Sequence, residues 1–217
     1  GYSMNSKRKI QLADFNRTVI LATANTLFLN RGIEGTTMDE IAHEAGFSKT
    51  TLYTYFDRKQ DIVDHLILDG MERFHQEVVK IVSRQAPFRE FYHELCQSLV
   101  AIHDSGIVYF PGITGKIGCS EKEMKNNKVL TNIYMLGEEI NHIIAGEISR
   151  AAANKELQLN APMADVMMLF WLCLTGLIEK SASKEAYILR HLEKDRKSFL
   201  NFAFDALLLM IEKGESR

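Results

Sequence analysis

Lys49, Thr50 and Thr51 follow one another where a short helix can turn them outward, and that combination suits contact with nucleic acid. A lysine ammonium can donate to guanine O6 and N7, and a threonine methyl can pack on the thymine methyl. Thr37 stands at the start of a preceding helix, whose first free amides suit a phosphate. Other chemistries find little support. The sequence holds no GxSxG, no HExxH and no P-loop. His93 and Cys96 are one helical turn apart, but no third ligand has metal-site spacing. No enzyme activity, metal or cofactor is expected.

The stretch that must position these side chains runs from Thr36 to Phe56, TTMDEIAHEAGFSKTTLYTYF. Thr37 can cap a first helix, with Glu40 three residues on closing a capping box. Ile41 and Ala45 share one face, and Ala42 is small enough for a close helix crossing. Gly46 stands where a helix ends in a left-handed residue. Phe47 fills the corner and Ser48 caps the next helix, which carries Leu52 and Phe56 inward four residues apart. Two helices joined by a short glycine turn make a helix-turn-helix, whose second helix can lie in the major groove.

Around this corner, Ile20, Ala24, Leu27, Phe28 and Gly32 precede Thr36-Thr37, Ile41-Ala42, Ala45-Gly46 and Ser48. Thr51-Leu52-Tyr53, Tyr55-Phe56 and Lys59 follow. At these spacings the segment Ile20–Ile62 resembles the DNA-binding domain of the TetR family of bacterial one-component repressors. Thr50 stands where the family often has Gly, and Ile62 replaces the usual Leu. The resemblance implies that Tyr53 and Tyr55 are phosphate-contacting and groove-facing aromatics, and that Lys59 contacts the DNA backbone. The expected DNA-binding set is therefore Thr37, Ser48, Lys49, Thr50, Thr51, Tyr53, Tyr55 and Lys59. It also implies dimerisation through the last two helices and release from DNA by a small-molecule effector.

The chain has 217 residues and a formal net charge of −2, so no global basic field announces a polyanionic partner. Residues 1–60 hold eight basic and six acidic side chains, a balance of +2, which leaves 18 basic against 22 acidic in the remainder. A basic head on an acidic body suits a protein that presents one end to DNA. Cys96, Cys119 and Cys173 are odd in number and far apart, and no secretory leader precedes Met4. A reduced, cytoplasmic compartment is the natural expectation. The longest apolar run, Val166 to Ile178, is too short to span a membrane, which needs about 20 residues.

The pattern predicts an all-α fold with a three-helix DNA-binding head and a larger helical effector-binding and dimerisation body. Residues 1–13 read as a non-native leader and flexible arm, 14–60 as the head, and 61–217 as the body. The first helix is expected from near Asp14 to Gly32. A long one follows, from a cap at Asp57 to about Arg84, and is the natural lever between head and body. Asn160 is expected to cap a helix that starts near Pro162, and a last helix, 184–213, has a possible break near Asp195. In the last two helices Met167, Trp171, Phe199, Phe202, Leu207 and Met210 are candidate dimer contacts, because helices apolar on more than one face are buried on more than one side. A mostly apolar pocket could draw its orienting groups from His103, Tyr109, Phe110, Tyr134, Glu138, His142 and Trp171, with Tyr92 close by.

The expected function is a homodimeric transcriptional regulator, a repressor, that binds a palindromic double-stranded operator and leaves it on binding a largely apolar effector. The alternative is an effector-independent architectural or cell-cycle DNA-binding protein of the same fold.

Overall fold

A computed structural model of the chain describes residues 2–106 and 121–212. Among them every regular element is an α-helix, and one isolated antiparallel bridge pairs Leu157 with Glu212. The helices are α1 (Tyr2–Arg31), α2 (Met38–Ala45), α3 (Lys49–Tyr55), α4 (Lys59–Ser83) and α5 (Phe88–Ser105). After residues 107–120 come α6 (Glu121–Asn126), α7 (Lys128–Ala153), α8 (Met163–Ala182), α9 (Glu185–Leu192) and α10 (Arg196–Leu208). No helix among the described residues is long and apolar enough to cross a membrane.

Two compact units emerge. The first holds residues 2–71 with Gly106 and 121–133, and the second holds 72–105 and 134–212. In the first, α2 packs on both α1 and α3. Ile20, Ala24, Leu27 and Phe28 form the buried stripe of α1 that the sequence predicts. At its end Gly32, at φ 76, turns its amide back to the carbonyl of Phe28.

The first helix does not start at Asp14: it continues back to Tyr2. No proline or glycine lies between Ser3 and Asp14 to stop it, and Lys, Arg, Gln, Leu and Ala all propagate a helix well. At the start of α4 the expected Asp57 cap is absent. Asp61 instead reaches back one turn and accepts from the Arg58 amide at 3.0 Å. Asn160 likewise gives way to Pro162 as N-cap of α8, with no side-chain cap bond. Pro162 presets φ at −53, close to the helical value, and its carbonyl accepts from the Asp165 and Val166 amides.

The second unit is built on α8, which packs against both α5 and α10. Phe91, Leu95, Leu174, Ile178, Leu200 and Phe204 are buried there. Each such side chain contributes roughly 1.5–3 kcal/mol by leaving water. The break between α9 and α10 is set by Glu193 in left-handed backbone, and by Asp195 accepting from the Ser198 amide at 2.7 Å. Arg196 then ties three helices together. Its guanidinium donates to the Ile178 carbonyl and Ser181 hydroxyl of α8, both at 3.0 Å, and pairs with Asp104 of α5 at 3.1 Å.

Candidate nucleic-acid interface and effector cavity

The corner forms from short-range contacts. Thr37 Oγ1 accepts from the Glu40 amide at 3.2 Å, and the Glu40 carboxylate accepts from the Thr37 amide at 2.8 Å. The Thr37 amide and hydroxyl, followed by Arg31, hold the Glu40 carboxyl below its usual range. The capping carboxylate therefore favours the fold above its ordinary titration range, and that contribution is lost in acid. Gly46 sits at φ 77, where a side chain would be strained, and the Phe47 amide closes on the Ala42 carbonyl at 2.9 Å. Ser48 caps α3 by accepting from the Thr51 amide at 3.1 Å.

The α3 helix is anchored by Leu52 and Phe56, both buried. Its remaining side chains split into two groups. Lys49, Thr50, Tyr53 and Thr54 are exposed, with Ser48 and Thr37 exposed beside them. Thr51 and Tyr55 are half-buried: Thr51 hydrogen-bonds Ser48, and the Tyr55 hydroxyl accepts from Asn16 Nδ2 of α1 at 3.0 Å. Lys59 is also tied inward. Its ammonium donates to the carbonyls of Ile33 and Thr36 at 2.7 and 3.0 Å, closing the turn between α1 and α2. A lysine has three donors, so one remains for a phosphate.

Sequence spacing did not reveal the ion pair of Lys49 with Asp39 of α2, at 2.9 Å. The pair raises the Lys49 pKa, chiefly through its hydrogen bond to the carboxylate. Both groups are well exposed, so solvent screens the pair and it is weak. Asp39→Asn is therefore expected to release Lys49 and tighten binding to duplex DNA about two- to fivefold. Titrations at several salt concentrations check this, and unchanged affinity would count against Lys49 reaching the groove.

In the second unit a cavity of about 60 Å³ opens between α5, α7 and α8. Phe88, Phe91, Tyr92, Leu95, Phe170 and Trp171 are among its lining, and Asn141 supplies an amide. Of the residues expected there, Trp171 and Tyr92 reach it. His103 instead pairs with Asp104 at 2.9 Å, and Tyr134, Glu138 and His142 are exposed on α7. Tyr109 and Phe110 lie outside the described residues. The signal that could have found the cavity is the aromatic run Phe88, Phe91, Tyr92 at i, i+3, i+4 on α5.

Next to the cavity the Tyr92 hydroxyl donates to the Phe204 carbonyl at 2.9 Å, and burial pushes its pKa well above the usual phenol range. Burial also pushes the Cys96 thiol up to about 12, so it is held as an inert thiol. His93 Nε2 pairs with Asp205 at 3.0 Å.

The candidate dimer contacts also divide. Met167 and Trp171 line the cavity, Phe199 and Leu207 are half-buried, and Phe202 and Met210 are exposed. The exposed apolar stripe on α8 is Met168, Leu169 and Leu172, one position along from Met167 and Trp171. On α10 and just past its end it continues with Phe202, Leu209 and Met210.

Comparison with known proteins agrees with the corner. The profile of bacterial regulatory proteins of the tetR family matches residues 20–66. The repressor BepR of Brucella suis is 34% identical over 95 residues, 44% of each chain. The repressor KstR2 of Rhodococcus jostii is 39% identical over 66 residues, 29% of this chain and 32% of its own. The chain thus spans less than half the length of these curated relatives. Solved structures extend the likeness as fold. A protein of unknown function from Rhodococcus sp. RHA1 superposes with a TM-score of 0.72 at 16% identity, covering 91% of this chain and 96% of its own. FadR from Bacillus subtilis, in complex with stearoyl-CoA, gives 0.62 at 16% identity, covering 88% and 96%. The capped corner and the exposed α3 thus lie inside residues 20–66, the part of the chain that matches the tetR family of bacterial regulatory proteins.

Proposed function

We propose that the chain is a homodimeric transcriptional repressor that reads a palindromic operator with α3 and is released from it by an apolar small molecule. The observation that carries the first part is α3 itself. Leu52 and Phe56 fix it from behind, while Lys49, Thr50 and Tyr53 are exposed on the other side. Lys49 and Thr50 would read base edges, while the amides at Thr37, the outer edge of Tyr53 and the remaining donor of Lys59 would meet phosphates. Ser48 and Thr51 act mainly by capping α3, and Tyr55 by fixing α3 to α1.

The cavity supports an effector that is apolar and carries no charge deep in the site. Its lining has aromatic and aliphatic side chains, one amide and no acid or base to neutralise a buried ion. At about 60 Å³ it holds roughly two waters' worth of space. A ligand must therefore push Phe170, Met167 and Trp171 apart on entering. A ligand that fits only the opened form shifts the population toward it. The Bacillus subtilis neighbour of the same fold is in complex with stearoyl-CoA, which supports this reading.

Selection of operators from a random duplex library, then titration of the bound complex with long-chain alcohols and acyl compounds, tests both parts. The expected result is one enriched palindrome, a raised Tm with the matching chain length, and loss of operator binding. An enriched site with neither effect would favour the effector-independent architectural reading. No enrichment at all would overturn sequence-specific binding.

A further inference from the structure

The cavity between α5, α7 and α8 changes character from one end to the other. Phe88, Phe91, Leu95, Leu99, Leu174 and Ile211 are buried in its walls and form a closed, dry end. Met167, Phe170 and Trp171 are half-buried, and Asn141 is exposed. The cavity therefore opens beside Asn141. Of the polar groups in the lining, the Tyr92 hydroxyl already donates to the Phe204 carbonyl. The Asn141 carboxamide has no hydrogen-bond partner among the described residues. Its two donors and its acceptor are available to whatever occupies the mouth.

The charge around that mouth is one-sided. Glu138 stands one turn before Asn141, about 60° round α7, and is exposed. It has no ion-pair partner among the described residues. The adjacent Glu139 is taken up by His75 of α4 at 2.9 Å. Bases on the wall helices are taken up as well: Arg89 by Asp205 and Glu212, Arg150 by Glu147 and Glu156, and Lys180 by Glu179. His142 follows Glu138 by four residues, is exposed and lines no part of the cavity. The unpaired charge nearest the opening is thus a carboxylate.

We infer that the effector is an amphiphile whose apolar tail fills the cavity and whose head carries hydrogen-bond donors and no negative charge, held at the mouth by the Asn141 amide beside the Glu138 carboxylate. This rests on the reading of the cavity as the effector site. The amide accepts from a hydroxyl or ammonium head, and the carboxylate attracts a cation, tolerates a neutral group and repels an anion. A free fatty acid or a coenzyme A thioester brings negative charge to that spot. Stearoyl-CoA in the Bacillus subtilis neighbour is then a guide to the tail and not to the head.

The test uses the full chain and probes of one chain length, the length that raises Tm most. They are a 1-alkanol, an n-alkylammonium, a fatty carboxylate, the matching acyl-CoA and a 1-chloroalkane, each below its micelle concentration. At pH 8 an ordinary imidazole is neutral, which leaves the carboxylate as the charge that is probed. The alkanol and the ammonium should bind about tenfold more tightly than the carboxylate and the thioester. Glu138→Gln should leave the alkanol unchanged and close most of the gap between ammonium and carboxylate. Asn141→Leu should weaken the alkanol about three- to tenfold, yet leave the chloroalkane, which has no donor, at least as tight as before. Both positions are exposed, so the variants keep the fold. A carboxylate or acyl-CoA that binds as tightly as the alkanol would overturn the proposal. So would an Asn141→Leu chain with unchanged alkanol affinity, or a Glu138→Gln chain with an unchanged gap between heads. In each of those results the cavity still holds a tail. Failure of every probe at every length to raise Tm would sink the cavity reading itself, and this inference with it.

Discussion

Aspartate at both Leu172 and Phe202 is expected to turn the protein into a folded monomer that no longer holds its operator. The two residues lie on α8 and α10, which pack against each other, and are 61% and 60% exposed. Met168, Leu169, Leu209 and Met210 extend the same apolar surface. Singly exposed apolar residues are ordinary, but six on α8, α10 and the turn just past α10 support the proposed dimer face. In a two-fold dimer each carboxylate would be buried near its own symmetry mate, and burying an unpaired charge costs several kcal/mol. Light scattering should give a mass near 24.7 kDa in place of twice that value. Operator affinity should fall by about a hundredfold or more, because one head no longer raises the effective concentration of the other. Circular dichroism should remain helical. A variant that keeps the dimer mass would show that this face is not the interface.

Phe56→Ala should abolish DNA binding by a different route. Phe56 is 2% exposed, ends α3, meets His65 edge-on at 5.2 Å and lies beneath Arg17. Emptying a site of this kind costs about 3–5 kcal/mol. A head of some sixty residues has little more stability than that to lose. The second unit holds its own core, so the expected result is selective: no operator binding and a lost low-temperature transition, with dimer mass kept. Phe56→Leu keeps most of the volume and should retain binding at reduced Tm. Full operator affinity in Phe56→Ala would show that α3 is not held from behind by this ring.

Much of the head was legible in the chain because its determinants are local. Thr37 and Glu40 are three residues apart and Leu52 and Phe56 four, and those spacings bond or align within one or two helical turns. The extent of α1 was less legible. A short basic stretch carries no periodicity, so propensity alone had to decide between arm and helix, and the absence of any breaker decided for helix. Lys59 shows a further limit. The family resemblance implies a phosphate contact for it, and only the folded turn reveals that two of its donors already serve the carbonyls of Ile33 and Thr36.

The body was legible as helices and little more. Helix α8 is apolar nearly all round, so its pattern offers no preferred inward face. The expectation that Met167 and Trp171 meet a partner chain, and that Glu138 and His142 meet a ligand, could not be decided from spacing. Packing of α8 against α5 turned Met167 and Trp171 inward to the cavity and left Met168 and Leu172 outside. A rotation of 100° per residue means that one step along a helix exchanges core for surface.

By itself, then, the sequence determined the glycine-hinged corner and the inward pair Leu52 and Phe56, because capping and i, i+4 contacts act within a few residues. Tertiary structure alone decided the cavity beneath Phe170, the apolar stripe through Leu172 and Phe202, and the pairing of Lys49 with Asp39. Those depend on helices distant in the chain meeting at particular angles, and no local spacing encodes that.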